Sequence, residues 1–128
     1  MKKILLVVED ELSARKAMVE KFTHEGYEVH LASNGQEGVR FAGGIHPDLI
    51  LLDILMPKMD GIQTLHSIRE KDGWGKNVPV IILSNLSIED EEKKRQIAFL
   101  NPASYLIKSD TPLSTVVERV KSIVPPSE

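Results

Sequence analysis

The chain lacks cysteine, an excess of basic residues and any long hydrophobic run. Because none of its 128 residues is cysteine, it can form no disulfide bond, thiolate metal site or thiol nucleophile, which favours a reducing, cytoplasmic location. A formal net charge of −3 gives no sign of the basic surface that nucleic-acid binding requires. The first apolar run, Ile4–Val8, stops at Glu9 and is too short for a signal-peptide core or a membrane span. We therefore expect no direct nucleic-acid binding and no membrane insertion.

The composition is that of one ordinary globular domain. Hydrophobic residues make up 41% and charged residues 27% of the chain, both typical values for globular proteins. A chain of this length can bury about two-thirds of the surface that it exposes when unfolded. Because no internal repeat, linker or low-complexity segment divides it, we expect a single domain over residues 1–128, with no output domain in this chain.

Short apolar runs alternate with helix-like segments along the chain. The strand-like runs are Ile4–Val8, residues 27–32, Leu49–Leu52, residues 78–83 and Ser104–Ile107. The predicted helices are residues 11–25, a short helix capped by Asn34 and ended by Gly43 and Gly44, residues 61–71, residues 87–100, and a last helix that begins near Thr111 and Pro112. Residues 72–75 are predicted to form a loop. This alternation favours an α/β fold, a parallel sheet with helices on both faces.

Polar residues stand at the ends of four of these strands. Glu9 and Asp10 follow the first strand, Asp53 follows Leu49–Leu52, Ser84 follows the fourth strand and Lys108 follows the last. Open α/β sheets bind their ligands at the carboxyl ends of the strands. If the first and third strands are neighbours, three carboxylates crowd together, and two of them ~4 Å apart repel by roughly 4 kcal/mol at an effective dielectric near 20. An all-oxygen acidic site of this kind suits Mg²⁺, which removes the repulsion.

Each of these residues taken alone has a simpler explanation. Asp53 could cap a helix or sit in a loop, Glu9 and Asp10 could cap the first helix, Ser84 could be a turn residue, and Lys108 could be a solvated cation. Taken together they supply a nucleophile, a metal cradle, a hydroxyl donor and a cation. Those are the groups needed to move a phosphoryl group.

In this order, the strand-end residues resemble those of a response-regulator receiver domain of two-component signalling. The resemblance rests on Val-Glu-Asp at residues 8–10, on the segment from Asp53 to Gly61, on Ser84, and on Tyr-Leu-Ile-Lys at residues 105–108. It covers essentially the whole chain in one register. It implies a doubly wound, flavodoxin-like (βα)5 sandwich whose five parallel strands run in the order 2-1-3-4-5. That order would bring Asp10 beside Asp53.

The resemblance also implies how the acidic residues act. Asp53 would be the phosphorylation site, its carboxylate attacking phosphorus to form an aspartyl phosphate. Mg²⁺ would be bound by Asp10, by Asp53 and by the backbone carbonyl of Leu55, while Glu9 would act through a water molecule. Glu9 departs from the commoner aspartate of the family by one methylene, a difference that a bridging water can span.

The resemblance implies that the remaining site residues bind the phosphoryl group and change conformation when it is present. Ser84 would donate a hydrogen bond to one phosphoryl oxygen, and Lys108 would pair with another. Tyr105 matches the family's switch aromatic and would turn inward when Ser84 moves. Lys108 is followed by Ser109, where the family usually has a proline after a cis peptide bond, so the cis or trans geometry of this turn stays open.

The predicted function is that of a stand-alone receiver, which is no enzyme beyond its own phosphorylation and slow dephosphorylation. Its partners would be a sensor histidine kinase or a histidine phosphotransfer protein, and an output protein. The output surface would comprise the residue 87–100 helix, the Tyr105 strand and the last helix. One alternative is a pseudo-receiver, an interaction module that works without phosphorylation. A metal-dependent phosphohydrolase is a further alternative, which would need a second general acid beside Asp53.

Overall fold

The computed structural model describes residues 1–54, 60–71, 73–84 and 91–127, whose strands form one parallel sheet. The strands are β1 (Ile4–Val8), β2 (Glu28–Ala32), β3 (Leu49–Leu52), β4 (Val80–Ser84) and β5 (Ser104–Ile107). They run in the order β2-β1-β3-β4-β5, and every neighbouring pair is parallel. This confirms the predicted fold class, a doubly wound α/β sandwich of the flavodoxin-like type.

Helices cover both faces of the sheet. They are α1 (Leu12–His24), α2 (Gly35–Ile45), α3 (Gly61–Arg69), α4 (Trp74–Asn77), α5 (Glu91–Phe99) and α6 (Leu113–Ile123), with a 3₁₀ turn at Lys108–Asp110. On one face α1 and α6 pack against the sheet, and α2, α3 and α5 pack on the other. Among the described residues, none of these helices has the length and apolar character needed to cross a lipid bilayer.

The central strands are buried on both faces, which explains their unbroken aliphatic sequences. Successive side chains of a strand point to opposite faces of the sheet. In β1, Leu6 and Val8 therefore belong to the core under α2, α3 and α5, while Leu5 and Val7 belong to the core under α1 and α6. A strand that must fill two cores cannot alternate apolar and polar residues. The bounds predicted for β1, β3 and β5 are confirmed.

Two glycines predicted to end α2 do not end it. The predicted cap is confirmed, since Oδ1 of Asn34 accepts a hydrogen bond of 2.9 Å from the backbone N–H of Glu37. The helix then continues through Gly43 and Gly44 to Ile45, and the C-cap residue His46 takes the left-handed conformation with φ 53°. A glycine inside a helix costs only about 1 kcal/mol relative to alanine, which tertiary packing can outweigh.

The predicted loop at residues 72–75 was wrong in part, because the short helix α4 begins at Trp74. Asp72 lies outside the described residues. The indole N–H of Trp74 donates a hydrogen bond of 3.2 Å to the carbonyl of Pro47, and its ring stacks on His46 with ring centroids 4.7 Å apart. These contacts join residues far apart in sequence, and no local pattern predicts them.

Several other boundaries differ from the prediction by a few residues. Ser84 is the last residue of β4 rather than the first after it, and α6 begins after Pro112, which occupies the N-cap position without a side-chain cap. Leu12, an apolar residue at the start of α1, is 57% exposed. The described part of the chain has no cis peptide bond, so the bond between Lys108 and Ser109 is trans. The N-terminal part of the predicted 87–100 helix, before Glu91, lies outside the described residues.

Candidate acidic site at the carboxyl edge of the sheet

Three carboxylates meet where β1 and β3 end. Val8 pairs with Leu52 in the sheet, and the backbone N–H of Asp53 donates a hydrogen bond of 3.1 Å to the carbonyl of Val8. The residues after both strands are therefore held side by side. One carboxylate oxygen from each of Glu9, Asp10 and Asp53 lies within 4.8 Å of the others. The structure thus brings together the three acidic residues that the sequence places at strand ends.

Burial separates the three carboxylates into two kinds. Glu9 is 2% exposed and Asp53 is 8% exposed, whereas Asp10 is open to solvent. The backbone N–H of Glu9 donates a hydrogen bond of 3.0 Å to the carbonyl of Ala32. Burial raises the pKa of Glu9, although hydrogen bonds from Lys108 and from the backbone N–H of Glu11 oppose that rise.

Lys108 places its ammonium group against the buried acids. Its Nζ forms an ion pair with Oε1 of Glu9 and lies 3.5 Å from Oδ2 of Asp53. Burial by itself would lower the pKa of Lys108. The hydrogen bond to Glu9 and the charge of Asp53 outweigh that effect and raise the pKa, so the lysine stays charged. The pair with Glu9 was not anticipated from the sequence, although the longer reach of glutamate over aspartate is a signal that could have suggested it.

Ser84 and Tyr105 lie on the two strands next to this cluster. Ser84 is fully buried at the end of β4, beside Ile107 of β5. Tyr105 is half-buried on β5 and packs against the core beneath α3 and α5. Burial raises the pKa of Tyr105, and the negative charge of Asp53 adds to that rise.

Gly61 lets α3 approach the cluster closely, and sequence analysis assigned it no role. Its backbone N–H donates a hydrogen bond of 2.8 Å to the carbonyl of Ile54. A Cβ atom at this position would lie 2.5 Å from both the carbonyl oxygen of Asp53 and the Cα of Ile54. Asp60 and Gln63 complete a capping box at the same helix end. The start of α3 therefore supports the backbone that carries Asp53.

The donor set fits a hard divalent cation. Three carboxylates within reach of one another, one of them open to solvent, can share Mg²⁺ while water fills the remaining positions. Leu55, predicted to add its backbone carbonyl, lies outside the described residues. The site thus meets the chemical requirement for Mg²⁺ through Glu9, Asp10 and Asp53.

The fold and the acidic site together define a signalling domain. A family model of the response regulator receiver domain matches residues 5–120 of this chain. The chain belongs to the response-regulator receiver domain family. Members of this family are signalling modules of two-component systems rather than conventional enzymes, and they bind Mg²⁺ at an acidic site.

Curated relatives include both short and long proteins. The chain is 39% identical over 125 residues to chemotaxis protein CheY of Treponema pallidum, an alignment that covers 94% of this chain and 81% of that protein. It is 38% identical over 80 residues to regulatory protein AtoC of Escherichia coli, covering 62% of this chain and 17% of AtoC. It is 36% identical to transcriptional regulatory protein SrrA of Staphylococcus aureus, covering 94% of this chain and 47% of SrrA. The chain thus spans only a small part of AtoC and about half of SrrA.

Solved structures agree on the architecture. Chemotaxis protein CheY4 of Vibrio cholerae superposes with a TM-score of 0.86 at 24% identity, covering 97% of this chain and 100% of that one, which supports the fold alone. Response regulator protein TrrA of Thermotoga maritima, solved in complex with Mg²⁺ and a beryllium fluoride, gives a TM-score of 0.81 at 30% identity. That alignment covers 95% of this chain and 99% of TrrA.

Proposed function

We propose that this chain is a phosphorylatable receiver that accepts a phosphoryl group on Asp53 in a Mg²⁺-dependent reaction. The donor would be the phosphohistidine of a sensor histidine kinase or of a histidine phosphotransfer protein. The observation that carries the proposal is the arrangement around Asp53, which has carboxylate oxygens of Glu9 and Asp10 within 4.8 Å and the ammonium of Lys108 3.5 Å from its Oδ2. A pseudo-receiver has no need of such a nucleophile, cation and acidic pair in one place.

The proposed reaction gives each of these groups a role. A carboxylate oxygen of Asp53 attacks phosphorus, the bond from phosphorus to the histidine nitrogen breaks, and the nitrogen keeps the electron pair. Asp10 and Asp53, with Glu9 through a water molecule, would hold Mg²⁺, which would supply positive charge to offset the negative charge on the phosphoryl oxygens. Lys108 pairs with one of those oxygens, and the hydroxyl of Ser84 donates a hydrogen bond to another.

Phosphorylation of Asp53 then changes the conformation of a surface that a partner protein binds. Ser84 ends β4, and Tyr105 and Lys108 lie on or directly after β5, so three groups near the phosphoryl group belong to neighbouring strands. We infer that the output surface consists of α5, β5 and α6. Tyr105, on β5 within this surface, is the proposed switch residue.

Phosphorylation should require Asp53 and no other acid. Intact mass spectrometry after treatment with acetyl phosphate and Mg²⁺ should show one added phosphoryl group, lost on treatment with hydroxylamine. Asp53→Asn should remove this addition completely. The matched control is Asp60→Asn, an exposed N-cap position at which asparagine caps equally well. Undiminished labelling of Asp53→Asn would show that another residue is the phosphoacceptor.

Asp10 should contribute to Mg²⁺ binding and, through its charge, lower the stability of the metal-free protein. Asp10→Asn removes one of three crowded carboxylates, so Mg²⁺ affinity should fall by about tenfold or more while the melting temperature without metal rises by a few degrees. Calorimetric titration and thermal unfolding measure the two effects. Glu11→Gln is the control, because it removes the same charge one residue away from the cluster. If Asp10→Asn binds Mg²⁺ as well as the wild type does, Asp10 is no ligand.

A further inference from the structure

Arg69, the last residue of α3, holds two other parts of the chain through its guanidinium group. Its Nη1 donates hydrogen bonds to the carbonyls of Gly75 at 3.0 Å and Val78 at 2.7 Å. Its Nε donates to the carbonyl of Leu100 at 2.7 Å, and its Nη2 donates to that of Asn101 at 3.1 Å. One side chain therefore joins the end of α3, the α4 segment and the end of α5.

The chemistry of these acceptors favours an arginine. The last carbonyls of a helix have no partner within it and carry a partial negative charge. Leu100 and Asn101 directly follow α5, and Gly75 and Val78 lie in and directly after α4. A guanidinium offers five N–H donors in a rigid planar fork, whereas a lysine ammonium is a single point of charge. Burial lowers the pKa of Arg69, yet the group keeps its charge among these carbonyls.

The carbonyls that Arg69 holds lie at one end of the elements that lead to the phosphoacceptor site. Val78 leads into β4, which ends at Ser84, while Asn101 leads into β5, which is followed by Lys108. The backbone N–H of Ala103 bonds to the carbonyl of Val80 at 2.8 Å and joins the starts of these two strands. The C-terminal end of α5 is thus fastened to α3 and to the sheet. Its N-terminal end is the end that connects along the chain to Ser84.

We propose that Arg69 makes the C-terminal end of α5 a fixed pivot, so that the response to phosphorylation is expressed at the N-terminal end of this helix. Arg69 is a positioning residue that acts through the backbone and does not touch the reacting atoms. The displacement of the backbone on phosphorylation is therefore larger at residues 91–94 than at residues 98–101. The direction of the response rests on the proposed function, whereas the fastening of α5 does not.

The fastening can be tested in the unphosphorylated protein by amide hydrogen exchange. The amides of Leu100 and Asn101 bond to carbonyls in the last turn of α5. In Arg69→Met they should exchange at least about tenfold faster than in the wild type, and in Arg69→Lys by a smaller factor. The control is Arg95→Met, since Arg95 is an exposed arginine of α5 paired with Glu92. Unchanged exchange at Leu100 and Asn101 in both Arg69 variants would overturn the proposal. If Arg69→Met does not fold, Arg69→Lys decides the question.

The pivot itself can be tested with beryllofluoride and Mg²⁺, which together mimic the aspartyl phosphate. Amide shifts in wild type should be larger at residues 91–94 than at residues 98–101, and in Arg69→Lys they should extend into residues 98–103. Equal shifts at both ends of α5 in wild type would overturn the pivot and leave the proposed function standing. An absence of any shift, together with an absence of acetyl phosphate labelling, would overturn the proposed function and the pivot with it.

Discussion

Replacing Lys108 with methionine is expected to lower the free energy of unfolding of the metal-free protein by about 3 kcal/mol. Glu9 and Asp53 are both buried, and Lys108 is the cation that pairs with both. Methionine fills a similar volume but leaves the two carboxylates close together without a positive charge. Removing one partner of a buried pair costs more than the pair itself contributes, because the remaining charge stays out of water.

Urea unfolding of Lys108→Met with and without Mg²⁺ provides the measurement. Saturating Mg²⁺ should restore part of the lost stability, because the metal binds only the folded cluster. The control is Lys121→Met, whose lysine pairs with Glu25 near the surface, and a small change is expected there. A loss in Lys108→Met no larger than in this control would show that the buried acids are neutralised in another way.

The loss in Lys108→Met should also depend on pH. Burial raises the pKa of Glu9, so the folded state favours its protonated form more than the unfolded chain does. Stability that comes from this protonation is present at low pH and is lost as the pH rises through the folded-state pKa. Without Lys108, whose hydrogen bond and charge lower the pKa of Glu9, that pKa rises further. The difference in free energy of unfolding between Lys108→Met and the wild type should therefore shrink as the pH falls from about 7 towards about 5.

Gly61→Ala is expected to destabilise the protein by about 1–3 kcal/mol and to reduce phosphorylation of Asp53. The added Cβ would lie 2.5 Å from the carbonyl oxygen of Asp53 and from the Cα of Ile54, so either α3 or the backbone at Asp53 must move. Both contacts are with backbone atoms, which cannot swing away as a flexible side chain can. Because phosphoryl transfer depends on geometry, a displaced Asp53 should react more slowly.

Thermal unfolding and the rate of labelling by acetyl phosphate test this prediction. Gly44→Ala is the matched control, since Gly44 is exposed in α2 and a Cβ there meets nothing within 4 Å. That change should leave labelling unchanged and raise stability by about 0.5–1 kcal/mol. If Gly61→Ala is as stable and as reactive as wild type, the approach of α3 does not position Asp53.

Much of the fold could be predicted because its signals are local. The short aliphatic runs of β1 and β3 are typical of a strand that is buried on both faces, and their observed bounds agree with the prediction. The polar residue after each strand then follows from counting along the chain. Asp10 and Asp53 could be placed together because the strand order, which the family resemblance supplied, was correct.

The errors arose where packing outweighs local preference. α2 runs through Gly43 and Gly44, because the modest cost of two glycines is outweighed by the contacts of the helix with the sheet. Trp74 belongs to a helix rather than a loop, held by a hydrogen bond to Pro47 and by stacking on His46. Neither outcome is visible in a window of neighbouring residues.

The sequence by itself determined which chemical groups stand at the strand ends, and with them the Mg²⁺ and phosphoryl chemistry expected of the site. Only the tertiary structure decided which of these groups touch. Lys108 pairs with Glu9 across 99 positions of sequence, and Arg69 reaches Leu100 across 31. Such contacts depend on sheet order, helix placement and the path of a long side chain, which no local pattern encodes. Physically, the end of a buried strand is marked in the sequence where its aliphatic run stops, whereas the partner of a side chain is fixed by how the whole chain packs.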